Sequence, residues 1–224
     1  MQLKIQELYS LDQTIAKELL ETKEYPWEVL SEIKKYILEL GEQLSKDKFE
    51  KIDEDIWIAK SVKIAKTAEI AGPCIIDENT EIRPSAFIRG GVIVGKNCVV
   101  GNSTELKNCI LFNNVQVPHF NYIGDSILGY KSHLGAGALT SNVKSDKTLV
   151  KIKINEENKV IETGLKKVGA MVGDFVEGGC NSVLCPGTVI GKNTNIYPLS
   201  MVRGVVNENS ILKDNNNIVK KKKE

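Results

Sequence analysis

Two cations and one imidazole carry the chemistry this sequence offers. Arg89 and Lys107 each take the second position of a six-residue unit and stand 18 residues apart. Three such units close one coil, so their backbones are expected about 4.8 Å apart, one strand spacing. Like charges stacked so closely are unfavourable alone. An anion between them removes the conflict, and phosphate is the natural candidate. Two alternatives stand beside it: both side chains splay into water, or Glu105 neutralises them. His119 lies in VPHFNYIGD, at a turn between strands, after the backbone restriction of Pro118. An imidazole titrates near neutral pH and can act as a general base; a plain surface histidine is the alternative. Tyr122 follows three residues later, with a hydroxyl that can orient a ligand. In HLGAGALTSN the small residues let a ligand lie close to the backbone, and Asn142 can give or accept a hydrogen bond there. A backbone N–H in the Gly-rich stretch around Gly135, Ala136 and Gly137 can stabilise a developing oxyanion.

The elements that must position these groups follow from a strict period. Ile58, Ile64, Ile70, Ile76, Ile82, Ile88, Val94, Val100 and Leu106 stand six apart without a break. Four residues after each of the first eight comes a small or β-branched residue: Val62, Ala68, Cys74, Thr80, Ala86, Val92, Cys98 and Thr104. Neither a helix nor an alternating strand has this period. A short fixed period signals stacked coils. Each unit is a short strand and a turn, with the large aliphatic and the small residue both pointing inward. The units Leu106–Leu111 and Ile123–Leu128 are one residue short, and the pattern returns at Val172, Gly178, Leu184, Ile190, Ile196 and Val202.

Residues 1–50 read as a helical cap. Ser10 with Gln13 resembles a capping box before the stripe Leu11, Ile15, Leu19. Pro26 opens a second helix with Val29, Ile33, Ile37 and Leu40 on its apolar face, and Gly41 stops it. That face is expected to pack on the first coil or on a neighbouring subunit. Coils fill 51–206. At about 147–163 Val150, Ile152 and Ile154 alternate with polar residues before a polar turn EEN and KVIET, which predicts a projecting β-hairpin. Residues 207–224 read as a basic, solvated tail.

Composition narrows the class. Thirty Lys and Arg against 29 Asp and Glu leave no excess charge for coating nucleic acid. No apolar run spans a bilayer and the N-terminus lacks a signal core, so the protein is expected in the cytoplasm, away from membranes. Cys74 and Cys98 take inward positions, so no cysteine nucleophile is expected.

The segment ELKNCILFNNVQVPHFNYIGDSILGYKSHLGAGALTSN, with both shortened units, resembles the acetyltransferase half of the bifunctional glucosamine-1-phosphate acetyltransferase / N-acetylglucosamine-1-phosphate uridyltransferase family. The likeness runs from about Ile58 to Val202. TGLKKVGAMVGDFVEGG is similar to archaeal sugar-phosphate nucleotidylyltransferases that carry the same coiled half. The resemblance implies a left-handed parallel β-helix, a homotrimer with acetyl-CoA bound between subunits, and a place in UDP-N-acetylglucosamine synthesis. Carried over by position, it makes His119 the catalytic base and Arg89, Lys107 and Tyr122 the sugar-phosphate contacts. Asn142 matches an acceptor-site residue, and Lys147 falls near another family lysine in a loop one residue shorter. Gly135, Ala136, Gly137, Cys180 and Pro198 fall on the acetyl-CoA side, Cys180 standing where the family has a serine. His133 replaces a substrate-contacting Asn, and Val143 replaces a Tyr of the bacterial enzymes. Fifty helical residues are too few for the α/β uridyltransferase domain, so acyl transfer alone is expected.

Two other classes compete. A non-catalytic trimeric binding module is motivated by the departures at His133 and Val143. A zinc hydrase on the same scaffold would want three imidazoles, and the chain has two.

Overall fold

A computed structural model describes residues 3–154, 159–214 and 217–222. The hexads form a parallel β-solenoid of about eight turns, three short strands to a turn. The first face begins at Ile56–Ala59, the second at Lys63–Ile64 and the third at Glu69–Ile70. Each strand pairs in parallel with the strand one coil on, as in Ile76↔Val94, Ile82↔Val100 and Ile88↔Leu106. The expected inward aliphatics fill the interior: Ile76, Ile88, Val94, Val100, Leu106, Val117 and Leu134 are wholly buried. Ile64, on the first coil, is a departure at 41% exposed, because no strand covers it from below.

The shortened units do something specific. Glu105–Leu111 and Tyr122–Leu128 are seven-residue strands that run from the third face round onto the first. Asn108 (φ 48°) and Asp125 (φ 47°) take the corner in the left-handed region that Asn and Asp tolerate. One turn residue is saved and the ladder continues without a gap.

The first face is apolar on both sides. Ile75, Ile93, Ile110, Ile127, Met171 and Val189 form a register-matched outer column, each wholly buried. Their cover is the N-terminal segment, which is a correction to the expected cap. It runs along this face rather than across the end of the stack. The Leu8 carbonyl accepts from Asp174 N–H, the Gln13 carbonyl from Asn113 N–H, and the Leu30 carbonyl from Asn108 Nδ2. The two expected helices are three short α-helices, Ile5–Leu8, Lys17–Glu21 and Ile33–Gly41, with 3-10 turns at Leu11–Gln13 and Pro26–Val29. Ser10 stands at the N-cap of the turn Leu11–Gln13, but its side chain does not cap it: its hydroxyl and N–H both donate to the buried Asp174 carboxylate (2.7 and 2.8 Å). Gly41 is where the helix meets the Trp57 indole, and a Cβ would fall 2.5 Å from the ring.

Two further expectations change. The hairpin Lys151–Ile154 with Lys159–Glu162 is present, but it lies down rather than projecting. Val150, Ile152 and Ile154 are buried, with Val150 and Ile152 beside Gly187 on the late coils. Its expected EEN turn lies outside the described residues. The expected solvated tail contains strand Ser210–Asp214, which continues the second face, and strand Asn217–Lys220, antiparallel to it.

One buried acid leaves a stability signature. Asp77 is 3% exposed beneath the N-terminal segment, with Oδ1 accepting the Glu78 N–H (2.7 Å). Burial raises its pKa above the usual carboxylate value, against the opposing pull of that N–H and of Lys96. The folded state therefore holds this proton more tightly than the unfolded chain. Stability falls as pH rises from the ordinary Asp pKa through the raised one, then levels. Asp77→Asn keeps the acceptor for Glu78, so Tm at neutral pH should rise by a few degrees and the gain should vanish in acid. A thermal-melt series against pH checks this.

Candidate functional site

The polar groups of the third face converge on coils two to five. Arg89 and Lys107 lie in register one coil apart, the Arg89 N–H bonding the Leu106 carbonyl. Of the alternatives, neutralisation by Glu105 holds for Arg89, while Lys107 takes a carboxylate that was not expected. Arg89 Nη1 bonds Glu105 Oε1 (2.6 Å), and Lys107 Nζ reaches both Asp125 oxygens (3.0 Å). These two pairs are not equivalent. Arg89 is exposed and Glu105 half-buried, and water screens such a pair so that it contributes little, which leaves the guanidinium free for an arriving anion. The Asp125 carboxylate is 5% exposed and receives Lys107, Asn108 Nδ2 (2.9 Å) and Asn142 Nδ2. Breaking such a buried pair costs roughly 3–5 kcal/mol. Lys107 is thus fixed in direction, with N–H capacity left for a ligand.

Tyr122 sits between these pairs. Its hydroxyl accepts from Asn142 Nδ2 (3.3 Å), and it begins the strand opposite Glu105. Burial, with the charges of Asp125 and Glu105, raises the phenol pKa, so it stays protonated and can donate. Asp125 was not anticipated as a site residue. The signal that marks it is its place in the shortened unit Ile123–Leu128, where the one residue turning the corner must be Asn, Asp or Gly.

His119 ends the strand Gln116–His119, round the corner from Tyr122 between the second and third faces. Its ring is exposed and makes no hydrogen bond among the described residues, whereas its peptide is held on both sides. Its N–H donates to Asn121 Oδ1 (3.1 Å), and its carbonyl accepts from Gly137 N–H (3.0 Å). The same corner carries Ala136, Cys180 and Pro198 in successive coils. Asn181 N–H bonds the Ala136 carbonyl and Leu199 N–H bonds the Cys180 carbonyl. One edge of the prism therefore brings His119 together with every residue expected on the acetyl-CoA side. The oxyanion donor expected around 135–137 narrows: Gly135 N–H is spent on the Gly178 carbonyl (2.7 Å) and Gly137 N–H on His119. Ala136 is the one of the three whose N–H makes no backbone bond among the described residues.

His133 and Lys147 do not join either group. His133 lies on the second face, between Gln116 and Glu177, with Nδ1 2.8 Å from Glu177 Oε2. Lys147 sits at the left-handed position (φ 56°) of an exposed turn and makes no side-chain bond among the described residues. Val143 is exposed at the root of the same insertion, in a bridge with Lys167.

The thiols fall into two classes. Cys74, Cys98, Cys109 and Cys185 are buried and Cys180 is exposed. Burial pushes the Cys74 and Cys98 thiols up to about 12 and Cys109 higher still, which disarms them as nucleophiles. Iodoacetamide on the folded protein should label one thiol per chain, Cys180, and all five after unfolding, read by intact mass.

Among the described residues no helix is long and apolar enough to cross a membrane. A family model described as the GMPPB C-terminal domain matches residues 70–172. The chain is 32% identical over 196 residues to a bifunctional protein GlmU of Methanococcus aeolicus, covering 77% of this chain and 47% of that protein. It is 29% identical over 169 residues to a bifunctional sugar-1-phosphate nucleotidylyltransferase/acetyltransferase of Sulfurisphaera tokodaii, covering 67% and 42%. A solved structure of a mutant of AntD, an N-acyltransferase from Bacillus cereus, in complex with dTDP and coenzyme A, aligns with a TM-score of 0.41 at 19% identity, covering 79% of this chain and 91% of that one. The chain spans about half the length of the curated relatives it matches. By repeat and sequence, the chain is a hexapeptide-repeat β-helix related to the C-terminal part of the bifunctional GlmU proteins.

Proposed function

We propose that the chain transfers the acetyl group of acetyl-CoA to the amine of an amino-sugar phosphate, such as glucosamine-1-phosphate, with His119 as general base. The observation that carries this reading is the bond from Gly137 N–H to the His119 carbonyl. It ties an exposed, unengaged imidazole to the small-residue edge of Ala136, Cys180 and Pro198, one corner from the cationic cluster. The thioester lies along that edge, and Arg89 and Lys107 hold the phosphate. Arg89 exchanges Glu105 for phosphate, a trade of one charge-assisted bond for a bidentate one. Tyr122 and Asn142 orient the sugar. The amine must be neutral to attack, and His119 takes its proton as the N–C bond forms and the thiolate of CoA leaves. Holding both reactants on one rigid scaffold supplies the rest of the acceleration.

This edge exposes several large apolar side chains, Phe120 (62%), Leu199 (79%), Tyr197 and Met201, beside polar ones such as Asn102 and Asn181. They support a homotrimer packed along this corner, with the acetyl-CoA site at the subunit boundary. The Sulfurisphaera tokodaii relative, a bifunctional sugar-1-phosphate nucleotidylyltransferase/acetyltransferase, supports acetyl transfer within sugar-phosphate chemistry. A soluble, cytoplasmic enzyme fits this chemistry.

A second reading is favoured by the paired charges. Because Arg89 and Lys107 already carry carboxylates, their charge is balanced without a phosphate, as a non-catalytic trimeric binding module would allow. A thiol-release assay with acetyl-CoA across amino-sugar phosphates separates the two. Turnover with at least one phosphorylated amine, and none with its dephosphorylated form, is the expected result. Calorimetric binding of acetyl-CoA without turnover on any acceptor would favour the module.

A further inference from the structure

Asn121 occupies an unusual place in the stack. It takes the inward corner position filled in other coils by Ala86, Thr104, Ala138, Ser182 and Ser200, all small residues. It is 2% exposed, and all of its polar atoms are engaged. Oδ1 accepts the His119 N–H (3.1 Å). Nδ2 donates to the Gly135 carbonyl (2.9 Å) and to the Ala138 carbonyl (2.9 Å). Its own N–H reaches Thr104 Oγ1 (3.3 Å), one coil below. The amide orientation is forced: flipped, it would set an NH2 against an N–H and a carbonyl oxygen against two others.

We infer that Asn121 is a positioning residue that sets the His119 imidazole against the turn 135–138. The inference rests on the reading of His119 as base and of that turn as the acyl-donor contact. One amide clamps the peptide of the base from one side and both ends of the turn from the other. The Gly137 N–H bond to the His119 carbonyl closes the loop, so neither group shifts without the other. A corner that merely had to close would need only Ala, Ser or Thr, as the other coils show. The larger amide is present where the exposed imidazole is. Misplacing a reacting group by about 1 Å can cost on the order of a hundredfold in rate.

The test uses Asn121→Ser and Asn121→Ala, two residue types that this column already accommodates, so at least one is expected to fold. Steady-state kinetics, His119 amide exchange and the His119 imidazole NMR signal are read together. The chain has two histidines, and a His133→Gln background assigns the signal. Expected are a kcat at least tenfold lower, acceptor KM within twofold of the parent, at least tenfold faster exchange of the His119 amide, and a broadened or shifted imidazole signal. A kcat within twofold of the parent, or a lower kcat with the imidazole signal and amide exchange unchanged, overturns the inference. If the parent protein turns over no amino-sugar phosphate, it is the acetyl-transfer reading that fails. Amide exchange then decides alone whether Asn121 holds His119: unchanged exchange overturns it and faster exchange upholds it.

Discussion

Replacing His119 by alanine will lower kcat for acetyl transfer by about 10²–10⁴, the usual contribution of a positioned general base. Tm and oligomeric state should not change. The ring is exposed and bonds to nothing among the described residues, while the peptide bonds that hold the corner belong to the backbone and survive the substitution. KM for both substrates should stay within a few-fold, because the proposed phosphate and sugar contacts come from Arg89, Lys107, Tyr122 and Asn142. The loss should be largest below the amine's own pKa, where the acceptor must be deprotonated, and should shrink as alkaline pH supplies neutral amine. Full activity of His119→Ala at neutral pH would end the base assignment. Activity lost together with the fold would show the ring to be structural.

The second large effect is on stability. Trp27 is 2% exposed within the turn Pro26–Val29, its ring stacked on Tyr25 (centroids 4.8 Å, planes 8° apart). This turn packs on the strand Tyr122–Leu128, over the outer aliphatic column. Truncating a buried Trp to Ala costs about 3–5 kcal/mol, from lost burial and the cavity left behind. At about 2–4 °C per kcal/mol for a chain of this size, Tm should fall by roughly 10 °C. Because the N-terminal segment is a strap over apolar surface on several coils, loosening it exposes Ile93, Ile110 and Ile127, so aggregation should accompany the melt. A variant that melts within about 2–3 °C of the parent, less than one kcal/mol's worth, would show that the strap contributes little.

Much of the architecture is readable from spacing alone. Nine aliphatics six apart admit only stacked coils, and the inward column is where that period puts it. The covered face is written just as plainly, in the triplets Cys74-Ile75-Ile76, Val92-Ile93-Val94 and Cys109-Ile110-Leu111. A strand apolar at three consecutive positions is buried on both sides. Reading only the first and fifth positions of each hexad hides the middle residue, and with it the path of the N-terminal segment. Long-range partners are less legible. Nothing local to Ser10 says that its hydroxyl answers to Asp174, 164 residues away. In the site, the 18-residue spacing places Arg89 and Lys107 correctly, since it follows from the coil. Their carboxylates are harder to foresee, because Asp125 reaches Lys107 only through a corner whose unit is one residue short. His133 matches by position, but within one chain it lies on the second face, away from Arg89 and Lys107.

The strap also works as a gauge. It is fastened near one end where Gly41 meets Trp57 and near the other where Ser10 meets Asp174, with coils of fixed rise between them. Insert or excise one coil of about 18 residues from this span, and Asp174 moves by about 4.8 Å relative to Ser10, beyond the reach of a hydrogen bond. Solenoids in general grow and shrink by whole repeats at little cost. This one has its repeat number measured against a rigid template, so gains or losses of coils are tolerated only beyond Asp174.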